Sequence, residues 1–160
     1  MSIINKEISI LIDNVLKKFP QERKKSAIIE SLLILQHHNS GYVTKEIMLE
    51  LAEYLSVSEI DIYEVATFYT MINTKPIGKN IIAVCNNVSC MLRGSDQILT
   101  HIENKLNIKV GESTADNKFY LKDEIECLAA CNGAPMMQIN HKNYENISID
   151  QVDKIIENLK

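Results

Sequence analysis

Apolar residues recur at every third or fourth position through the first half of the chain. Ile4, Ile8, Leu11, Ile12, Val15, Leu16 and Phe19 form one stripe, which Pro20 ends. Ala27, Ile28, Leu32 and Leu35 predict a second helix, closed by the polar run HHNSG. Thr44 is placed to cap a third, whose face carries Ile47, Met48, Leu51, Ala52 and Leu55. Ser58 opens Ser-Glu-Ile-Asp, a capping box with Asp61 in place of Glu or Gln, flanked by a Val57–Ile62 staple. The fourth helix carries Ile62, Val65, Ala66, Tyr69 and Ile72 and is expected to end near Asn73 to Pro76. Pro76 and Gly78 mark the boundary, giving a helical segment over 1–75 and a second domain over 76–160.

Beyond that boundary the period changes. Ile81-Ile82-Ala83-Val84 is a continuous apolar run after a Gly-Lys-Asn turn, as expected for a strand buried on both faces. Ser95 to Leu106 is amphipathic through Ile98, Leu99, Ile102 and Leu106. Phe119-Tyr120-Leu121 and Met136 to Ile139 predict two more strands, and Ile149 to Leu159 a closing helix. The order β, α, β, β, α describes a small sheet with helices packed on it.

Composition narrows the function classes. A chain of 160 residues with net charge -4, and no like-charge run longer than Arg23-Lys24-Lys25, offers no electrostatic footprint for nucleic acid. Its apolar runs fall far short of the ~20 residues that span a bilayer, so direct membrane insertion is not expected. The opening MSIINKEISI has neither a secretory n-region and h-region nor an Arg-rich transit character. Four cysteines in a reducing compartment then read as metal ligands, redox groups or small buried hydrophobes.

The cysteines fall at element ends. Cys85 directly follows the first strand and Cys90 precedes a helix; Cys127 and Cys131 follow the second strand. Pairs spaced by three or four residues can bend both sulfurs onto one inorganic core, and four thiolates are the usual ligands of a [2Fe-2S] cluster. Such a centre is anionic and wants N–H donors or cations. The helix after Cys90, Arg93 and the low-bulk run Asn132-Gly133-Ala134 are candidates, with Gly133 allowing close backbone approach. Spacing alone leaves structural zinc in a zinc-bound interaction module open, and simple burial of the cysteines as well. A thioredoxin-type dithiol normally uses C-x-x-C, which the chain lacks.

Three segments, EVATFYTMI, CNNVSCMLRGS and ECLAACNGAPMMQIN, resemble the thioredoxin-like [2Fe-2S] subunit family of respiratory complex I, NADH:quinone oxidoreductase. The resemblance runs from about the second helix to the C-terminus and includes LNIKVGE and NYENIS. It implies an α/β fold, an N-terminal helical segment followed by a thioredoxin-like [2Fe-2S] ferredoxin domain. It further implies one [2Fe-2S] cluster per chain held by Cys85, Cys90, Cys127 and Cys131. The implied partner is the flavin-bearing subunit that binds NADH and FMN, on which both segments would dock. In the family this cluster lies beside the main electron wire, which implies temporary electron storage or tuning of the flavin. The implied location is cytoplasmic and peripheral on the inner membrane as part of the complex.

The chain itself offers no Gly-rich dinucleotide fingerprint, so hydride chemistry is expected on the partner and no catalytic residue here. The equivalent subunit of an NAD-linked hydrogenase or formate dehydrogenase is the alternative parent, although CMLRGS is more similar to the respiratory version. Departures from the family touch helix packing: SAIIESLLIL lacks a frequent proline, and Tyr42 follows a glycine where tryptophan is common. His37-His38 reads as a solvated helix end, and Phe68, Tyr69 and Met71 as an apolar or interface stripe. Met136 and Met137 are expected to alternate inward and outward, and Pro135 is a candidate cis proline supporting the cysteine loop.

Overall fold

Side-chain caps start two of the helices of the first half, the first and the third, and the apolar stripes of all four meet in one core. In the computed structural model, which describes residues 3–123, 125 and 127–159, the chain divides after Pro76 into two compact units. Helix α1 (Lys6–Leu16) begins at Asn5, whose Oδ1 accepts from the N–H groups of Glu7 and Ile8 at 2.9 and 3.0 Å. A 3-10 turn over Gln21–Ala27 leads into α2 (Ile28–His38). Thr44 caps α3 (Lys45–Leu55) through a 3.3 Å bond from the Ile47 N–H. Ile12, Leu32, Leu35, Ile47, Leu51 and Ile62 interlock with no solvent exposure.

The fourth helix differs from expectation at both ends. In α4 (Glu59–Phe68), Ser58 occupies the N-cap but makes no side-chain cap bond. The Asp61 carboxylate pairs instead with the Lys25 ammonium at 2.8 Å, a charge-assisted bond. The helix stops at Phe68 because Tyr69 turns extended, and a turn carries Ile72 back into the core. Gln36 holds that turn by donating to the Met71 carbonyl at 3.0 Å and accepting from the Asn73 N–H at 2.6 Å.

The second unit is built on a four-stranded sheet in the order β2-β1-β3-β4. Strand β1 (Asn80–Val84) runs parallel to β2 (Phe119–Leu121) and antiparallel to β3 (Met137–Ile139). Between β1 and β2 lie the short α5 (Val88–Met91) and the longer α6 (Ser95–Leu106). The closing α7 (Ile149–Asn158) packs with α6 and the sheet around Ile82, Ile102, Phe119, Leu121, Met137, Val152 and Ile156.

Strand β4 (Lys142–Tyr144) was not expected. It pairs with β3 across Asn140-His141, both at positive φ, the backbone of a tight hairpin turn. Its pattern is polar because it is an edge strand with little to bury, so hydrophobic alternation gives no signal. The expected alternation of Met136 and Met137 also fails: both are buried, Met137 in the main core and Met136 in a separate cluster with Cys85 and Cys90. The strand begins only at Met137, so the period of two does not extend to Met136. Among the described residues, no helix is long and apolar enough to cross a membrane.

Candidate metal centre

Two parallel strands end side by side, and each is followed by one pair of cysteines. Cys85 comes directly after β1, where its N–H donates to the Met136 carbonyl at 3.2 Å. Its side chain is buried, 2% exposed, as is that of Cys90 at 1%. Contrary to expectation, Cys90 does not precede a helix but lies within α5, and α6 starts later, after Gly94. Asn87 caps α5 with its Oδ1 on the Val88 N–H at 2.9 Å, and its carbonyl accepts from the Cys90 N–H at 2.9 Å.

Cys127 and Cys131 follow β2 and are both exposed, with their Sγ atoms 3.8 Å apart. The intervening loop reverses through Ala129 at φ 57, a left-handed conformation uncommon for a residue with a side chain. A 3-10 turn over Cys131–Gly133 and the cis Ala134–Pro135 peptide carry the chain into β3. Arg93 fixes this return, donating from Nη1 to the Ala134 carbonyl at 3.0 Å.

Gly133 is needed for a different reason than close approach to the sulfurs. A Cβ there would strike the side chain of Glu145, and the Gly133 carbonyl accepts from the Asn146 N–H at 2.6 Å. Its absent side chain makes room for the segment leaving β4. The lining of the cysteines comes instead from Ala134 and Met136, with Leu128 and Ala130 packed against them.

Electrostatics ties the two pairs together. Burial disfavours a Cys85 thiolate, yet the N–H groups of Leu128 and Asn87, with the Cys90 and Cys127 side chains, outweigh it and lower its pKa. Burial and Cys85 push Cys90 up against the opposing N–H of Met136, and the charge of Cys131 adds to that rise. The Ala129 N–H favours a Cys127 thiolate, but Cys131, desolvation and Cys85 together raise it. Each of the four cysteines therefore interacts with another across or within the pairs.

Among the described residues, no three His, Cys, Asp or Glu side chains are grouped to hold a single metal ion. The donor set is nevertheless one that an iron–sulfur core requires: thiols from two loops, backbone N–H groups beside the sulfurs and small apolar neighbours. Arg93 and the four cysteines stand out in the sequence. The contributions of Asn87, Leu128, Ala129 and Met136 come from their backbone, to which residue type gives no clue, apart from the capping preference of Asn87.

A model of the thioredoxin-like [2Fe-2S] ferredoxin family matches residues 12–160. An NADH-quinone oxidoreductase subunit from Rickettsia bellii (strain RML369-C) is 45% identical over 150 residues, covering 94% of this chain and 89% of the relative. The mitochondrial NADH dehydrogenase [ubiquinone] flavoprotein 2 of Dictyostelium discoideum is 39% identical over 151 residues, covering 94% of this chain and 61% of that protein. In fold, the chain is similar to part of an NAD+-reducing [NiFe]-hydrogenase in its air-oxidized state. The TM-score is 0.68 at 22% identity, over 80% of this chain and 22% of the hydrogenase chain. At that identity the likeness is one of fold.

Proposed function

Because the chain belongs to the thioredoxin-like [2Fe-2S] ferredoxin family, we propose that it is the electron-transfer subunit of an NADH:quinone oxidoreductase, holding one [2Fe-2S] cluster on Cys85, Cys90, Cys127 and Cys131. What supports this reading is the approach of Cys85, which follows β1, to Cys127, which follows the parallel strand β2. Extensive identity to the Rickettsia bellii protein supports the parent complex, whereas the hydrogenase likeness extends only to fold. The partner is the flavin-bearing, NADH-binding subunit, where hydride chemistry takes place. This chain contributes an electron-transfer site and no catalytic residue.

A bound [2Fe-2S] cluster supplies one-electron uptake and release without making or breaking substrate bonds. The chain's own residues divide the remaining work. Cys85 and Cys90 form the dry side, closed by Ala134 and Met136, where low exposure keeps water from the sulfurs. The N–H groups of Leu128, Asn87, Ala129 and Met136 favour negative charge on the sulfurs they face. Arg93 holds the Ala134 loop in position. Cys127 and Cys131 form the open side.

Purification without oxygen, followed by iron and sulfide analysis and low-temperature EPR before and after dithionite, tests the reading. The expected result is equal iron and sulfide with a signal that appears on reduction, lost in Cys127→Ser. A colourless protein with stoichiometric zinc, and no signal after attempted iron–sulfur reconstitution, overturns it in favour of a zinc-bound interaction module. Co-purification with a flavin-bearing NADH-binding subunit is the expected result for the partner.

A further inference from the structure

Half of the cysteine cradle is closed to reagents and half is open. Cys85 and Cys90 are 2% and 1% exposed, whereas Cys127 and Cys131 are both exposed. The open pair stands with sulfurs 3.8 Å apart, at van der Waals contact, on one short loop. A small disulfide arriving from solvent therefore meets these two thiols first, and a second thiol is already beside whichever one reacts. The sequence rule that a dithiol site uses C-x-x-C overlooks this pair, because here three residues intervene and the loop recovers the proximity by turning through Ala129 at φ 57.

We propose that in the cluster-free chain Cys127 and Cys131 form a thiol–disulfide exchange site for low-molecular-weight disulfides of the glutathione class. One of the two thiols attacks the reagent's S–S bond, forming a protein–reagent mixed disulfide and releasing one reagent thiol. The second thiol then attacks the protein sulfur of that bond, forming Cys127–Cys131 and releasing the other reagent thiol. Two protein thiols are oxidised, one reagent disulfide is reduced, and the two protons leave on the released thiols. The bridged chain has lost two of its four thiol donors until a reductant restores them. That consequence for cluster loading rests on the function proposed above; the exchange itself rests on exposure and proximity alone.

The test uses the full-length chain, freed of iron and reduced, then exposed without oxygen to glutathione disulfide, acid-quenched, alkylated and mapped by mass spectrometry. The expected result is loss of alkylation at both Cys127 and Cys131 with a peptide joined between them, and full labelling of Cys85 and Cys90 after denaturation. Cys131→Ser should stop at a glutathione adduct on Cys127, and Cys127→Ser at one on Cys131, with circular dichroism verifying that each variant is folded. Four fully labelled cysteines in the wild-type chain, a bridge involving Cys85 or Cys90, or a stable adduct without ring closure would each overturn the proposal. Iron and sulfide analysis of the untreated protein reports separately on the cluster, so the two readings fail by different measurements.

Discussion

A methyl group at Gly78 would overlap the Phe119 carbonyl, and neither side of that contact can rotate away, because a Cβ is fixed by its backbone and the carbonyl is itself backbone. Gly78→Ala is expected to destabilise the ferredoxin unit by about 1–3 kcal/mol, the usual range for overpacking. A chemical-denaturation midpoint unchanged from wild type would show that the β1 entry can shift. The cysteines present a different contrast. Cys90→Ser and Cys127→Ser should both lose bound iron, but only Cys90→Ser places a hydroxyl among Ala134 and Met136. Its cluster-free form should lose about 1–3 kcal/mol, the cost of burying a hydroxyl with incomplete hydrogen bonding, whereas cluster-free Cys127→Ser, at an exposed position, should melt like wild type. Equal melting of all three would remove the distinction between closed and open halves. At this scale the sequence was informative about which residue types matter and poor on why. Gly133 was visible, but its constraint comes from Glu145, a residue twelve positions away whose approach no local pattern encodes.

Helix caps show how far pattern alone can be trusted. Ser58 and Ser148 both stand three residues before a side chain able to complete a capping box, and only one box forms. Ser148 accepts from the Gln151 N–H at 3.4 Å while Gln151 Oε1 accepts from the Ser148 N–H at 2.9 Å. At Ser58 the candidate partner, Asp61, is drawn to Lys25. Ser148→Ala is therefore expected to lower stability by about 1 kcal/mol, and Ser58→Ala to stay within about 0.5 kcal/mol of wild type. Urea unfolding would separate them, and a larger loss at Ser58 would contradict the absence of a cap bond. The helix pair α6–α7 adds a pH dependence. Asp153 accepts from Lys105 at 2.9 Å and lies 2.7 Å from His101 Nε2. These partners, His101 first, lower its folded pKa. A depressed carboxylate stabilises above its unfolded value, about 3.9, and loses that contribution as pH falls through the folded one. Asp153→Asn should therefore flatten the loss of stability seen on acidification below about pH 4, and an unchanged slope would assign acid sensitivity elsewhere. Helices were legible because their stripes are long; β4 was not, because an exposed three-residue edge strand carries almost no period.

Across the whole molecule, the apolar clusters draw on separate stretches of chain: one from residues up to Ile72, the others from Ile82 onward. All four cysteines belong to the second stretch. The spacing within each pair is local and readable, but the approach of Cys85 to Cys127 follows from strands β1 and β2 lying parallel, a long-range fact that periodicity cannot supply. A cluster held as proposed should act on the stability of the second unit alone. A group that binds only the folded form stabilises what it binds, and for metal centres whose ligands come together on folding that coupling is direct. Chelating iron from the protein under reducing conditions should therefore lower the melting of the ferredoxin unit, by about 4–8 °C for each kcal/mol of binding lost. The helical unit should keep its own protection, because its buried side chains form a core to which no cysteine contributes. Amide hydrogen exchange on both forms would read this residue by residue. Protection should fall in β1, α5 and the 127–136 loop, and hold at the core positions Leu32, Leu51 and Ile62. A uniform fall across both stretches would mean that the units unfold as one cooperative body, and loss confined to the helices would be incompatible with these cysteines as the ligands.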